Sequence, residues 1–246
     1  MQSDIKPSRA RRGSRGRKGN KRANATGLQQ IAWQVPKNTD TPIAPLPPEG
    51  VAAIHHTAMR ILEEVGVEFL NLEAVDTLRQ AGCTILNETR DGALVKMDRA
   101  FVMDKISHAP AKFLITPRNL DRQIIIGGQH MVFGSIASPP NCSDLDRGRR
   151  PGDRQSHRDL VKLSQFFNCI HFIGGYPVEP VDSHASVRHL DCLHDQLTLS
   201  DKVVHAYSLG AGRVDDVIEM VRIAGGLTEQ QFAQTPRMFT NINSTS

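Results

Sequence analysis

The sequence has little to stack with and nothing long enough to span a membrane. It holds one tryptophan and two tyrosines in 246 residues, and no apolar run approaches the roughly 18 residues that a membrane helix needs. The N-terminus is charged but carries no apolar stretch after it, unlike a secretory leader. No C-x-x-C pair occurs. Cys83, Cys142, Cys169 and Cys192 stand 59, 27 and 23 residues apart, which fits neither a disulfide framework nor a zinc ribbon. These absences point to a reducing, cytoplasmic setting without membrane contact. Gly127-Gly128, Gly174-Gly175 and Gly225-Gly226 are isolated pairs, not the G-x-G-x-x-G that opens a nucleotide-binding helix, and there is no G-x-S-x-G elbow.

The charge that is present is unevenly placed. Nine of the 30 basic residues and one of the 26 acidic ones fall in residues 1–24, which leaves 21 basic against 25 acidic in the remainder. The basic pI therefore describes a tail, which excludes a uniformly basic nucleic-acid-binding fold. With almost no apolar residue in it, the tail is expected to be disordered. It has no aromatic to stack on a base, so it reads as a solvated tail rather than an RNA-binding arm.

Along the chain, 25–49 is a proline-rich linker in which TPIAPLPP favours extended backbone. Val51, Ile54, Ala58, Ile61, Leu62 and Val65 then recur at helical spacing, with Gly66 as the stop. A second helix is expected at about Leu72 to Gln80, and a hairpin from Cys83–Leu86 and Leu94–Met97 around Asp91-Gly92. Asp98 offers a cap to a short helix. Strands are expected at Phe113–Thr116, Gln123–Ile126 and Met131–Phe133, and a polar loop at Ser138–Ser156. Residues 50–155 thus read as an α+β region.

From 156 to 246 the rhythm changes. Helices at about His157–Phe167, His184–Leu199 and Val214–Ala224 precede strands at Ile170–Ile173, Val203–Tyr207 and Met238–Ile242, which begin 33 and 35 residues apart. Apolar strands alternating with amphipathic helices are βα units with parallel strands. The spacing fits a TIM (β/α)8 barrel, whose eight units would run to roughly residue 430 at this period. The expectation is α/β of the TIM-barrel kind, here as a truncated N-terminal portion.

The segments IHHTAMRILEEVGVEFLNLEAVDTLRQAGC, VKMDRAFVMDKISHAPAKFLITPRN, the loop Asp146 to Pro151 leading into HRDLVKLSQFFNCI, and the terminal TPRMFTNINSTS occur in an order that resembles the N-terminal half of the trimethylamine methyltransferase family. Its members include corrinoid-dependent trimethylamine and glycine betaine methyltransferases. The resemblance implies a TIM-barrel enzyme that moves a methyl group from a tertiary or quaternary methylamine to cob(I)alamin on a separate corrinoid protein. It implies no cofactor bound directly by this chain. The family's pyrrolysine position lies beyond Ser246, and self-association of the full-length form is left open.

Barrel sites lie at the C-terminal ends of strands. Those ends offer Tyr176, Glu179 and Asp182, then Tyr207 with Ser208, then Asn241 and Asn243. A quaternary ammonium lacks N–H and is held by aromatic faces and negative charge, so Tyr176, Glu179, Asp182, Tyr207, Asn241 and Asn243 are the candidate substrate-binding residues. No catalytic residue is assigned. Asp182-Ser183-His184 opens like the cobalamin-ligating D-x-H-x-x-G, but Val187 stands where glycine is needed, so Asp182 or Ser183 is expected to cap the following helix. His189, Cys192 and His194 gather metal donors, yet helical spacing turns His194 away from Cys192, and no metal site is assigned. Alternative readings are a non-catalytic interaction module and a βα-barrel enzyme of unrelated chemistry.

Overall fold

The computed structural model describes residues 28–207 and 209–241. The chain divides into a unit ending at Ala32 and a second from Trp33 onward, and every named element belongs to the second. The expected disorder of residues 1–24, and the candidates Ser208 and Asn243, lie outside the described residues.

Helix α1 (Pro48–Arg60) starts with proline at its first position, where the missing N–H would have had no partner anyway. A π-turn, Ile61–Val65, carries it to Gly66, whose φ of +89° ends the helix as expected. Its apolar stripe is not covered: Val51, Ile54 and Val65 are each more than half exposed, and Met59 is its buried residue. Strands β1 (Val67–Phe69), β2 (Thr84–Leu86) and β3 (Ala93–Lys96) follow, with α2 (Leu72–Gln80) between the first two. β3 lies between antiparallel β1 and β2, so the expected hairpin gains a third strand. Val75 of α2 closes this layer on Ala93 and Val95.

Helix α3 (Arg99–Ser107) is capped by Asp98, whose carboxylate accepts the Ala100 N–H at 2.7 Å. β4 (Lys112–Ile115) and β5 (Ile124–Gly127) pair antiparallel. The segment Met131–Phe133 is not the expected strand. It is flanked by the single bridges Lys37–His130 and Gly134–Phe172, and no ladder forms among the described residues. Conversely, the expected polar loop holds a hairpin, β6 (Asn141–Asp144) and β7 (Gly148–Pro151). The Asp144 carboxylate ties its turn by accepting the Asp146 and Arg147 N–H groups and the Arg150 guanidinium.

The remaining elements alternate: α4 (Arg154–Phe166), β8 (Phe172–Ile173), α5 (Arg188–Leu199), β9 (Val203–Tyr207), α6 (Ala211–Gly225), α7 (Glu229–Gln234) and β10 (Met238–Asn241). β8, β9 and β10 are parallel and lie in sequence order, as the alternation predicts. No closed barrel forms among the described residues; the architecture is mixed α/β with small sheets. α4 begins three residues early because the Asp153 carboxylate accepts the Ser156 N–H at 2.6 Å. α5 begins at Arg188 rather than His184, and no side chain among the described residues caps it. α7, not expected, is set by a Thr228/Gln231 capping box.

Two apolar clusters hold the parallel sheet. Val204 and Ala206 pack with Leu193 of α5 and with Val217 and Val221 of α6. Val203 packs with Ile115 and Ile124, so the core runs from the β4–β5 pair into β9.

Candidate active site

The site is built at the C-terminal ends of β8 and β9. β8 is followed by Gly174-Gly175, and Gly175 adopts a φ of +139° that a side chain rarely takes. A Cβ on Gly175 would meet the Tyr207 hydroxyl oxygen at 2.4 Å. The absence of a side chain is what lets the last residue of β9 lean across the end of β8. Tyr207 and Tyr176 stand with ring centroids 4.7 Å apart at 62°, an edge-on pair. These are the two tyrosines of the whole chain.

Ser138 locks the pair. Its N–H donates to the Tyr176 carbonyl oxygen at 2.6 Å, and its hydroxyl is hydrogen-bonded to that of Tyr207. The Tyr207 hydroxyl also accepts the Tyr176 N–H at 3.3 Å. Both rings line a cavity of about 340 Å³ together with Ser138, Glu179, Arg188, His189 and Arg213. Glu179 and Arg188 pair at 2.6 Å, and Arg188 also donates to the Ser183 carbonyl oxygen. Arg213, in the first turn of α6, has no carboxylate partner among the described residues. His189 reaches across from α5 to donate its Nε2–H to Asp216 of α6 at 2.8 Å.

A second space of about 20 Å³ lies behind the tyrosines, lined also by Gln196 and His205. Gln196 is fully buried and donates to the Gly175 carbonyl oxygen at 2.9 Å, bracing the glycine turn. His205 packs edge-on against Tyr207 and Phe239, and neither of its ring nitrogens has a hydrogen-bond partner among the described residues. Burial pushes the Tyr176 phenol above its ordinary range and the Cys192 thiol up to about 12. It also pushes the His205 and His157 imidazoles down, because a charged ring would lose its hydration. The unfolded chain therefore binds more protons than the folded one once the pH falls below about 6.5. Folding stability should fall with pH in that window, by up to about 1.4 kcal/mol per pH unit for each imidazole. His205→Phe should flatten the slope in urea titrations between pH 6.5 and 4.5; an unchanged slope would show that His205 takes no part.

The structure brings Tyr176, Glu179 and Tyr207 to one cavity. Asn241 faces Tyr207 across the β9–β10 register but does not line it. Asp182 is elsewhere: its carboxylate accepts the Arg154 N–H at 2.9 Å, so it caps α4 rather than the following helix. Neither Asp182 nor Ser183 caps α5, because that helix starts later. His184 bonds Ser186 on the exposed turn, while the Asp182 carboxylate is taken by the Arg154 N–H. Sequence reasoning missed Ser138, Arg213 and the His189–Asp216 pair as members of the site. The pair joins residues 27 positions apart on different helices, which no periodicity reports.

Comparison with known proteins adds a family. The family described as Trimethylamine methyltransferase (MTTB) matches residues 11–246. The chain is 32% identical over 194 residues to a protein named Glycine betaine methyltransferase of Desulfitobacterium hafniense strain Y51, covering 79% of this chain and 39% of that one. It is 25% identical over 201 residues to Trimethylamine methyltransferase MttB of Desulfitobacterium hafniense strain DSM 10664 / DCB-2, covering 80% of this chain and again 39% of the relative. The chain thus spans about two fifths of the length of these curated relatives.

Proposed function

Because the chain belongs to the trimethylamine methyltransferase family, we propose that the Tyr176–Tyr207 cavity holds the methylated ammonium group of a tertiary or quaternary amine, from which one methyl group passes to a corrinoid on a separate protein. One observation carries this reading: both tyrosines of an aromatic-poor chain line one cavity beside a carboxylate. A quaternary ammonium has no N–H to donate, and aromatic faces attract either kind of methylated ammonium through their quadrupole, by ~0.5–2 kcal/mol each. The Tyr207 ring is held in place by Ser138 and the Tyr176 N–H, so little ordering is left to occur on binding.

Of the two donor types, a betaine is favoured over trimethylamine. The Glu179 charge is offset by Arg188, whereas Arg213 is not offset by any described carboxylate. The cavity wall therefore carries a net positive charge near its aromatic pair, which suits a substrate whose ammonium is accompanied by its own carboxylate. Bound to its own protein, the corrinoid supplies the nucleophile for the methyl group; this chain's share is to hold and aim the amine. In the same reading, β8, β9 and β10 are strands of a (β/α)8 barrel, with the cavity at its C-terminal rim. The four unpaired cysteines support a reducing, cytoplasmic setting.

Calorimetric titration of the 246-residue chain with glycine betaine should give saturable binding, weakened about tenfold or more in Tyr207→Leu, in line with the loss of one aromatic face. Trimethylammonium should bind more weakly than glycine betaine, and Arg213→Gln should narrow that gap. Failure of every methylated amine to bind would overturn the reading.

A further inference from the structure

Resting on that reading, we infer that His189, oriented by Asp216, handles the proton that the amine nitrogen acquires once its methyl group has left. The His189 ring lines both the larger cavity and the space behind the tyrosines. A carboxylate only accepts, so the 2.8 Å bond to Asp216 fixes the hydrogen on Nε2. That leaves Nδ1 as the free nitrogen, and it is buried with no hydrogen-bond partner among the described residues on a side chain only 10% exposed. An orphaned buried acceptor costs about 1–3 kcal/mol, which is a reason to expect a donor from the cavity's occupant.

The other polar groups around it are unsuited to the task. Tyr176 is buried and holds its proton tightly, and His205, from β9, is kept neutral by burial. The Tyr207 hydroxyl is engaged by Ser138 and the Tyr176 N–H. Glu179 is committed to Arg188, and the Arg213 guanidinium has donors but no acceptor. His189 is the imidazole that combines an orienting carboxylate with a free nitrogen at the site.

The chemistry balances around this nitrogen. When the methyl group leaves for its acceptor, the C–N bond breaks and its electron pair stays on the amine nitrogen. The cavity then holds a neutral tertiary amine where a cation had been, so one net proton is taken up from the bulk solvent, passes by way of Nδ1 and ends on the amine nitrogen, which returns His189 to its Nε2–H form. The product becomes a tertiary ammonium, whose N–H donates to Nδ1. The substrate, a quaternary ammonium, has no such hydrogen. His189 thereby distinguishes product from substrate.

The test compares N,N-dimethylglycine, which carries the N–H, with glycine betaine, which does not. His189→Gln keeps a donor toward Asp216 but removes Nδ1. It should weaken N,N-dimethylglycine binding about tenfold or more, as expected for a lost charge-assisted hydrogen bond, while glycine betaine changes less than about twofold. In the wild-type chain the His189 Nδ1 resonance in ¹⁵N spectra should move on adding N,N-dimethylglycine and hold still with glycine betaine. This second measurement stands even where the variant folds poorly. If both ligands bind but His189→Gln affects them equally, or the Nδ1 resonance moves alike for both, this inference is wrong and the proposed function stands. If neither ligand binds the wild-type chain, both fall together.

Discussion

Replacing Arg154 and Arg158 together by alanine is expected to lower the free energy of unfolding by about 3–5 kcal/mol, the cost of leaving a buried charge without its partners. Asp195 of α5 is completely buried, and its carboxylate accepts from Arg154 at 3.1 Å and from Arg158. Both arginines come from α4, so this one acid fastens α4 directly to α5. The asymmetry decides which substitution hurts. The guanidiniums are 39% and 35% exposed, and water can solvate them when the carboxylate is removed. The carboxylate at zero exposure has no such recourse. Asp195→Asn should therefore cost clearly less than the double arginine variant. Adding Asp195→Asn to that variant should recover part of the loss, because the stranded charge is then gone. Urea midpoints for the three variants check the order. A double arginine variant within about 1 kcal/mol of wild type would mean that the pair behaves like a surface ion pair.

The Asp195 cluster also shows where reading the sequence runs out. Periodicity places Asp195 on a helix, but it does not say that two arginines from an earlier helix will seal it. The same holds for His189 and Asp216, and for α1, whose apolar stripe is correctly helical yet exposed. Strand-end logic does bring the aromatic pair and Glu179 to one cavity, because residues just past neighbouring parallel strands lie at the same end of the sheet. Asp182 shows the limit of that logic. It stands three residues after Glu179, but the turn from Val181 to Val187 redirects its carboxylate to the Arg154 N–H. The β6–β7 hairpin was hidden for a different reason. Its strands, NCSD and GRRP, lack alternating apolar residues, and the turn is held by a polar side chain, Asp144. Local polar chemistry of this kind leaves no hydrophobic pattern to count.

Gly175→Ala should weaken the proposed glycine betaine binding while leaving the fold assembled. The new methyl group would lie 2.4 Å from the Tyr207 hydroxyl oxygen and 3.0 Å from the adjoining ring carbon, so the ring has to move. The backbone resists an alternative, since φ at this position is +139° and its carbonyl oxygen is already held by Gln196. Crowding of this kind costs about 1–3 kcal/mol of stability, with a further share from the backbone conformation. The functional effect should exceed the structural one. Displacing Tyr207 breaks its contacts to Ser138 and the Tyr176 N–H together, so the aromatic pair loses its fixed separation and glycine betaine binding should weaken about tenfold or more. Gly212→Ala supplies the comparison. That glycine sits in the first turn of α6 with open space where a Cβ would go, and alanine there should stabilise the chain by about 0.4–1 kcal/mol. Calorimetry and urea unfolding on both variants separate the two effects. Undiminished binding by Gly175→Ala would show that the Tyr207 ring does not hold the ligand, and would remove the main support for a methylammonium site.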